Sequence, residues 1–236
     1  MGGASTWYDR SVILKQSPIA VSSPDGRLAG YLLLCCALLS IAVVSHHPTI
    51  HTHVASNLLH DVVALSAADM VVHGFLIAFM FALTYGMVIF SLRQGPRLTS
   101  IGGLLFYIAG SGAVLIALLI DGFFVPAFAS ANVHSPESTL SGVLAVLGGS
   151  GVFIQVLTKF GFACFSSAIA TWSLGLLRSS QRIGYLAIAG VMSATLPIGL
   201  IALGPRSLTP ATLAMMLLSQ AAWYVVVGVL MIKTKL

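Results

Sequence analysis

Charge is what this 236-residue chain has least of. Only 7% of its residues are Asp, Glu, Lys or Arg, and just 6 are acidic. A soluble domain usually carries about 25% charged residues, so a soluble globular fold is excluded. Cysteine is scarce as well, with only Cys35, Cys36 and Cys164. All three fall inside long apolar runs, which excludes a disulfide framework in an exposed loop. They read as small buried residues. The basic residues form no cluster. Despite a pI of about 9.4, they are spread one or two per loop, and nucleic-acid binding needs a concentrated patch. The helical zinc-protease motif His-Glu-x-x-His is missing too.

Apolar sequence fills the space that charge leaves. Hydrophobic residues make up 58% of the chain, and the mean hydropathy is +1.00. Six stretches can be drawn at Leu28–Ser45, Val62–Phe90, Ile101–Phe124, Gly151–Leu177, Ile183–Leu203 and Leu208–Ile232. Each is long enough as a helix to cross a hydrocarbon core of about 30 Å. Barrel strands need only about 10 residues with alternating polarity, and these runs do not alternate. Helices satisfy their own backbone groups in lipid. The expected fold class is therefore an all-α integral membrane protein, a bundle of six transmembrane helices in residues 28–236. Residues 1–27 form a polar tail with no apolar signal-peptide core. Loops facing away from the cytoplasm are expected at 46–60, 125–149 and 204–207.

The two signs of chemistry separate across this bundle. With a cytoplasmic N-terminus, the inner segments hold Arg10, Lys15, Arg27, Arg93, Arg97, Arg178, Arg182, Lys233 and Lys235. Only Lys159 and Arg206 fall elsewhere. The positive-inside rule then puts both termini in the cytoplasm of a cell whose inner (plasma) membrane the chain crosses several times. All seven histidines, His46, His47, His51, His53, His60, His73 and His134, fall on the opposite side or in the outer half. So do Asp61, Asp69, Asp121 and Glu137.

Charges inside lipid cost about 2.5–3.5 kcal/mol on insertion scales and mark functional sites. Asp69 and His73 are four apart and share one face of a helix, with Ser66, Met80 and Thr84 on the same stripe. A carboxylate and an imidazole at this spacing can hold one divalent metal ion. Asp121 and Lys159 are expected at matching depth, either as an ion pair or as part of one polar cluster extended by Gln155. The segment His46-His47-Pro48-Thr49-Ile50-His51-Thr52-His53 can collect a metal ion through His51 and His53, with His60 beyond it. The expected metal set is Asp69, His73, Asp121, His60, His51 and His53, and the expected ion is copper or zinc. Asp69-x3-His73 resembles two residues of the ligand pattern in the C subunit of copper membrane monooxygenases. That pattern's further histidine, thirteen residues on, is Gly86 here.

The function expected is binding or passing a transition metal ion. The alternatives are a non-catalytic subunit or scaffold of a membrane complex, a proton-coupled carrier using an Asp–His relay, and a metal-dependent membrane oxidoreductase. The expected partners are the lipid bilayer and other membrane proteins or further copies of the chain.

Overall fold

A computed structural model describes residues 22–47, 55–177, 184–204 and 207–236. The described residues are helical between short turns, with no strand among them. The order is α1 (Ser23–Ser45), α2 (Ala55–Arg93), α3 (Leu98–Leu119), a π-helical turn (Ile120–Phe124), α4 (Val125–Asn132), α5 (Glu137–Leu177), α6 (Gly184–Leu203) and α7 (Pro210–Ile232). Six helices are long and apolar enough to cross a membrane, with α3, the π turn and α4 counting as one span. This fits a multi-pass membrane protein. The burial pattern agrees with it: Leu105, Val152, Phe153 and Val156 face outward, while His73, Gln220, Ser166 and Ser173 are buried. The end carrying the Arg93–Arg97 turn is the basic end and the other is the histidine end.

The starts and stops follow local chemistry. Ser22 caps α1 through the Asp25 backbone N–H, and Thr209 caps α7 in a reciprocal box with Thr212. Such caps satisfy the orphan N–H groups of a first turn. Both helices place proline in that turn, where its missing N–H costs nothing. Gly95 closes the α2–α3 turn with a φ of 79°, a left-handed conformation open to glycine.

Helix length differs from expectation at the histidine end. Residues 55–60 and most of 125–149, expected as loops, are helix. α2 has 39 residues and α5 has 41, about 58 and 61 Å at 1.5 Å per residue. Pro126, in the segment expected as loop, sits in the first turn of α4. Its ring would clash with a carbonyl in a regular α-helix. The wider π turn just before it carries the chain through, and the Val125 N–H reaches back to the Ile120 carbonyl. Apolar residues explain the extra length. Leu59, Val62, Ala129 and Val143 bury each other where α2, α4 and α5 run on together.

Two cores result. The larger lies toward the basic end, where Trp172 and Trp223 stack at 6.0 Å and Phe90 meets each edge-on at 5.7 Å. Trp172, Trp223 and Tyr224 are therefore core residues. α1 and α7 meet at two glycines, since a Cβ on Gly30 or Gly228 would come within 2.7 Å of the other's carbonyl oxygen. Small residues permit this close backbone approach in apolar bundles. Cys36 and Cys164 are buried, whereas Cys35 faces outward.

Candidate metal centre

His73 anchors the site. Twenty residues separate it from Arg93 on α2, about 30 Å of helix. It therefore sits at the level where the short helix α1 stops and the three long spans continue. The Asp69/His73 stripe turns inward as its four-residue spacing predicts, with His73 only 2% exposed and Met80 buried below it.

Both ring nitrogens of His73 face oxygen. Nδ1 lies 2.9 Å from the Asp69 carbonyl and 3.2 Å from Asp69 Oδ1. Nε2 lies 3.3 Å from Asp121 Oδ2. A carbonyl can only accept, so in the metal-free ring the backbone contact calls for a hydrogen on Nδ1, and the carboxylate of Asp121 calls for one on Nε2. Histidines that bind metals typically donate their other N–H to a carbonyl or carboxylate, the place Asp121 takes at Nε2 when Nδ1 is the ligand.

His47, the second residue after α1, completes the cluster. Its Nε2 is 3.4 Å from Asp69 Oδ1, and its ring meets His73 edge-on at 5.1 Å between centroids. One ligand atom each from His47, Asp69 and His73 fall within 4.8 Å of one another. The Asp121 carboxylate contributes a fourth side chain at His73 and is 39% exposed. It keeps the buried imidazole connected to the surroundings.

Asp121 owes its place to the π turn. Adding one residue to a helical turn re-aims the side chains after it, and such turns recur at functional sites. The next residue is Gly122. A Cβ there would overlap Cβ and Cγ of His73, so the imidazole packs directly on a bare stretch of backbone. Together the π turn and Gly122 bring a carboxylate from the third span onto an imidazole from the second.

The structure thus brings together Asp69, His73 and Asp121 and adds His47. His60 is exposed on α2, thirteen residues before His73, about 20 Å along the helix, and does not join them. His51 and His53 lie outside the described residues. Ser66 is used within its own helix, donating to the Val63 carbonyl. Gln155 clamps the α6–α7 connection, accepting from the Leu208 N–H at 2.7 Å and donating to its carbonyl at 3.3 Å. Lys159 is half-buried on α5, eighteen residues from the basic end of that helix. That is a level close to His73, although the helix begins far earlier than expected.

The donors are imidazole nitrogen and carboxylate oxygen. This combination suits zinc, Cu(II) and other divalent first-row ions. Cuprous ion prefers thiolate and thioether. Cys36 precedes His47 by eleven residues, about 16 Å, and cannot take part. Comparison with known proteins gives no matching family model, no matching curated protein and no matching solved structure.

Proposed function

We propose that this chain is an inner-membrane protein that binds a divalent transition-metal ion, zinc or Cu(II), at its extracytoplasmic end. The observation that carries this reading is the convergence of His47, Asp69 and His73 within 4.8 Å, with Asp121 at the other nitrogen of His73. Three elements distant in sequence supply these groups, and one side chain among them is fully buried. The positive-inside pattern supports the orientation. The half-exposed His47 and Asp121 give an ion a way in from the histidine end.

Elemental analysis of detergent-purified protein tests it. Wild type is expected to hold one zinc or copper per chain. His73→Ala and Asp69→Asn should lower the affinity by at least about tenfold, the minimum seen even for outer-shell changes. Full occupancy in both variants would overturn the assignment.

A second reading draws on the same ring. His73 lies between two carboxylates, one at each nitrogen, which is also how an imidazole relays protons. It predicts no bound metal in wild type, even after reloading, together with pH-dependent uptake in vesicles that disappears in His73→Ala.

A further inference from the structure

The outer half of α5 rises past its neighbours. Gln155 holds both backbone groups of Leu208, in the α6–α7 connection. α6 and α7 have 20 and 23 residues, about 30 and 35 Å of helix. Each is one membrane thickness, so their joint marks the membrane surface at the histidine end. α5 begins eighteen residues before Gln155 and therefore extends about 27 Å beyond that joint. On one side of this extension Val143 packs on Leu59, Val62 and Ala129. The α6 helix, which packs along α5 below the joint, is no longer there to cover the rest.

The uncovered side is patterned. Gly142, Val146, Gly149, Phe153, Val156 and Phe160 follow one another in alternating steps of four and three, and all six are exposed. Phe153 and Val156 are 62% and 61% exposed. Alternate steps of three and four form the seam along which two helices interlock. Gly142, Gly148, Gly149 and Gly151 have open space where a Cβ would stand, unlike Gly30, Gly122 and Gly228, which press on neighbours. Glycine weakens a helix interior relative to alanine, and its use in membrane bundles is to let a second helix come close. Beside Gly149 and Phe153, Ile120 and Phe124 of the π turn close a hollow of about 270 Å³, room for side chains of a facing helix.

Lipid tails can cover Val156 and Phe160. They cannot reach Val146, nine residues before Gln155 and so about 14 Å beyond the joint. A contiguous apolar face outside lipid marks a protein contact. Its occupant must be apolar both within the membrane and above it, at matching heights. Copies of one chain insert with one orientation, so a second α5 presents this same seam, in parallel and at the same depth. We propose that α5 pairs with α5 of a second copy about a two-fold axis along the membrane normal, with Gly149 at the closest approach. The seam carries no charge, so its like residues meet across the axis without repulsion. The pairing goes beyond the metal-binding reading and does not rest on it.

Cysteine cross-linking of the full-length chain in isolated membranes tests the pairing. A Cys35→Ser background is used, because Cys35 is the native cysteine that faces outward. On mild oxidation Val146→Cys and Phe153→Cys are expected to give a product of twice the chain's mass. Gly151→Cys, equally open but turned away from the seam at 3.6 residues per turn, should give none. Gly149→Leu enters open space within its own chain, so it should leave the melting temperature of the monomer unlowered. Added to Val146→Cys, it should cut the cross-linked fraction at least about tenfold, as overpacking a close helix contact does. No dimer at either seam position, an equal yield from Gly151→Cys, or an adduct of any other mass would overturn the proposal. None of these outcomes depends on bound metal, so failure here would leave the metal centre standing.

Discussion

His73 is where the residue-scale chemistry is decided. Its Nδ1 faces Asp69 and its Nε2 faces Asp121, so an ion held with His47 and Asp69 takes Nδ1 and leaves the ring's hydrogen on Nε2, where Asp121 accepts it. Asp121→Asn is therefore expected to weaken metal binding about 10–100-fold, the range seen when a group beside a ligand is lost. His60→Ala should leave binding unchanged. Titration with a chromophoric zinc competitor checks both, and equal losses in the two variants would contradict the site. Asp69 and His73 were legible in the sequence because a four-residue spacing fixes a shared face in any helix. His47 was hidden among three neighbouring histidines of one segment. A signal for it was present all the same. Twenty residues separate Arg27 from His47, as twenty separate Arg93 from His73, so two helices starting from basic flanks reach the same height.

At the scale of elements, the cluster depends on a turn that carries no ligand atom except Asp121. Gly122→Ala puts a methyl group into the His73 ring. Overpacking of this kind costs about 1–3 kcal/mol. We expect a lower melting temperature in detergent together with reduced metal content, although no ligand has been removed. Unchanged stability and unchanged metal content would mean that the π turn does not position the site. Gly30→Val is the contrasting change. It forces α1 from α7 at a point remote from the metal cluster, and it should lower stability by a similar amount. The existence of six apolar spans could be read from run length alone. Their ends at the histidine side could not. Ala, Ser and Gly in 137–150 have no distinctive period, and a proline such as Pro126 ordinarily ends a helix. The helices continue because Leu59, Val62, Ala129 and Val143 bury one another, a tertiary effect that overrides local propensity.

The whole molecule is polarised: the Arg93–Arg97 turn and Lys233–Lys235 at one end, and His47, His73, Asp69 and Asp121 toward the other. This predicts that single cysteines introduced at Arg97 and Lys235 react with impermeant thiol reagents only from the cytoplasmic side. A cysteine at His134, exposed in the α4–α5 turn, should react only from outside. Labelling of Arg97→Cys and His134→Cys from the same face would reverse or abolish the proposed orientation. The asymmetry of charge was fully readable in the sequence. Which of the seven histidines converge was not, since that depends on helix lengths and on one π turn.

The most direct measurement is X-ray absorption at the metal edge of zinc- or copper-loaded protein, wild type beside His47→Ala. The structure predicts a shell of nitrogen and oxygen at about 2.0–2.2 Å, with scattering from two imidazoles that falls to one in the variant. A sulfur shell near 2.3 Å, or two imidazoles persisting without His47, would contradict a centre built from His47, Asp69 and His73.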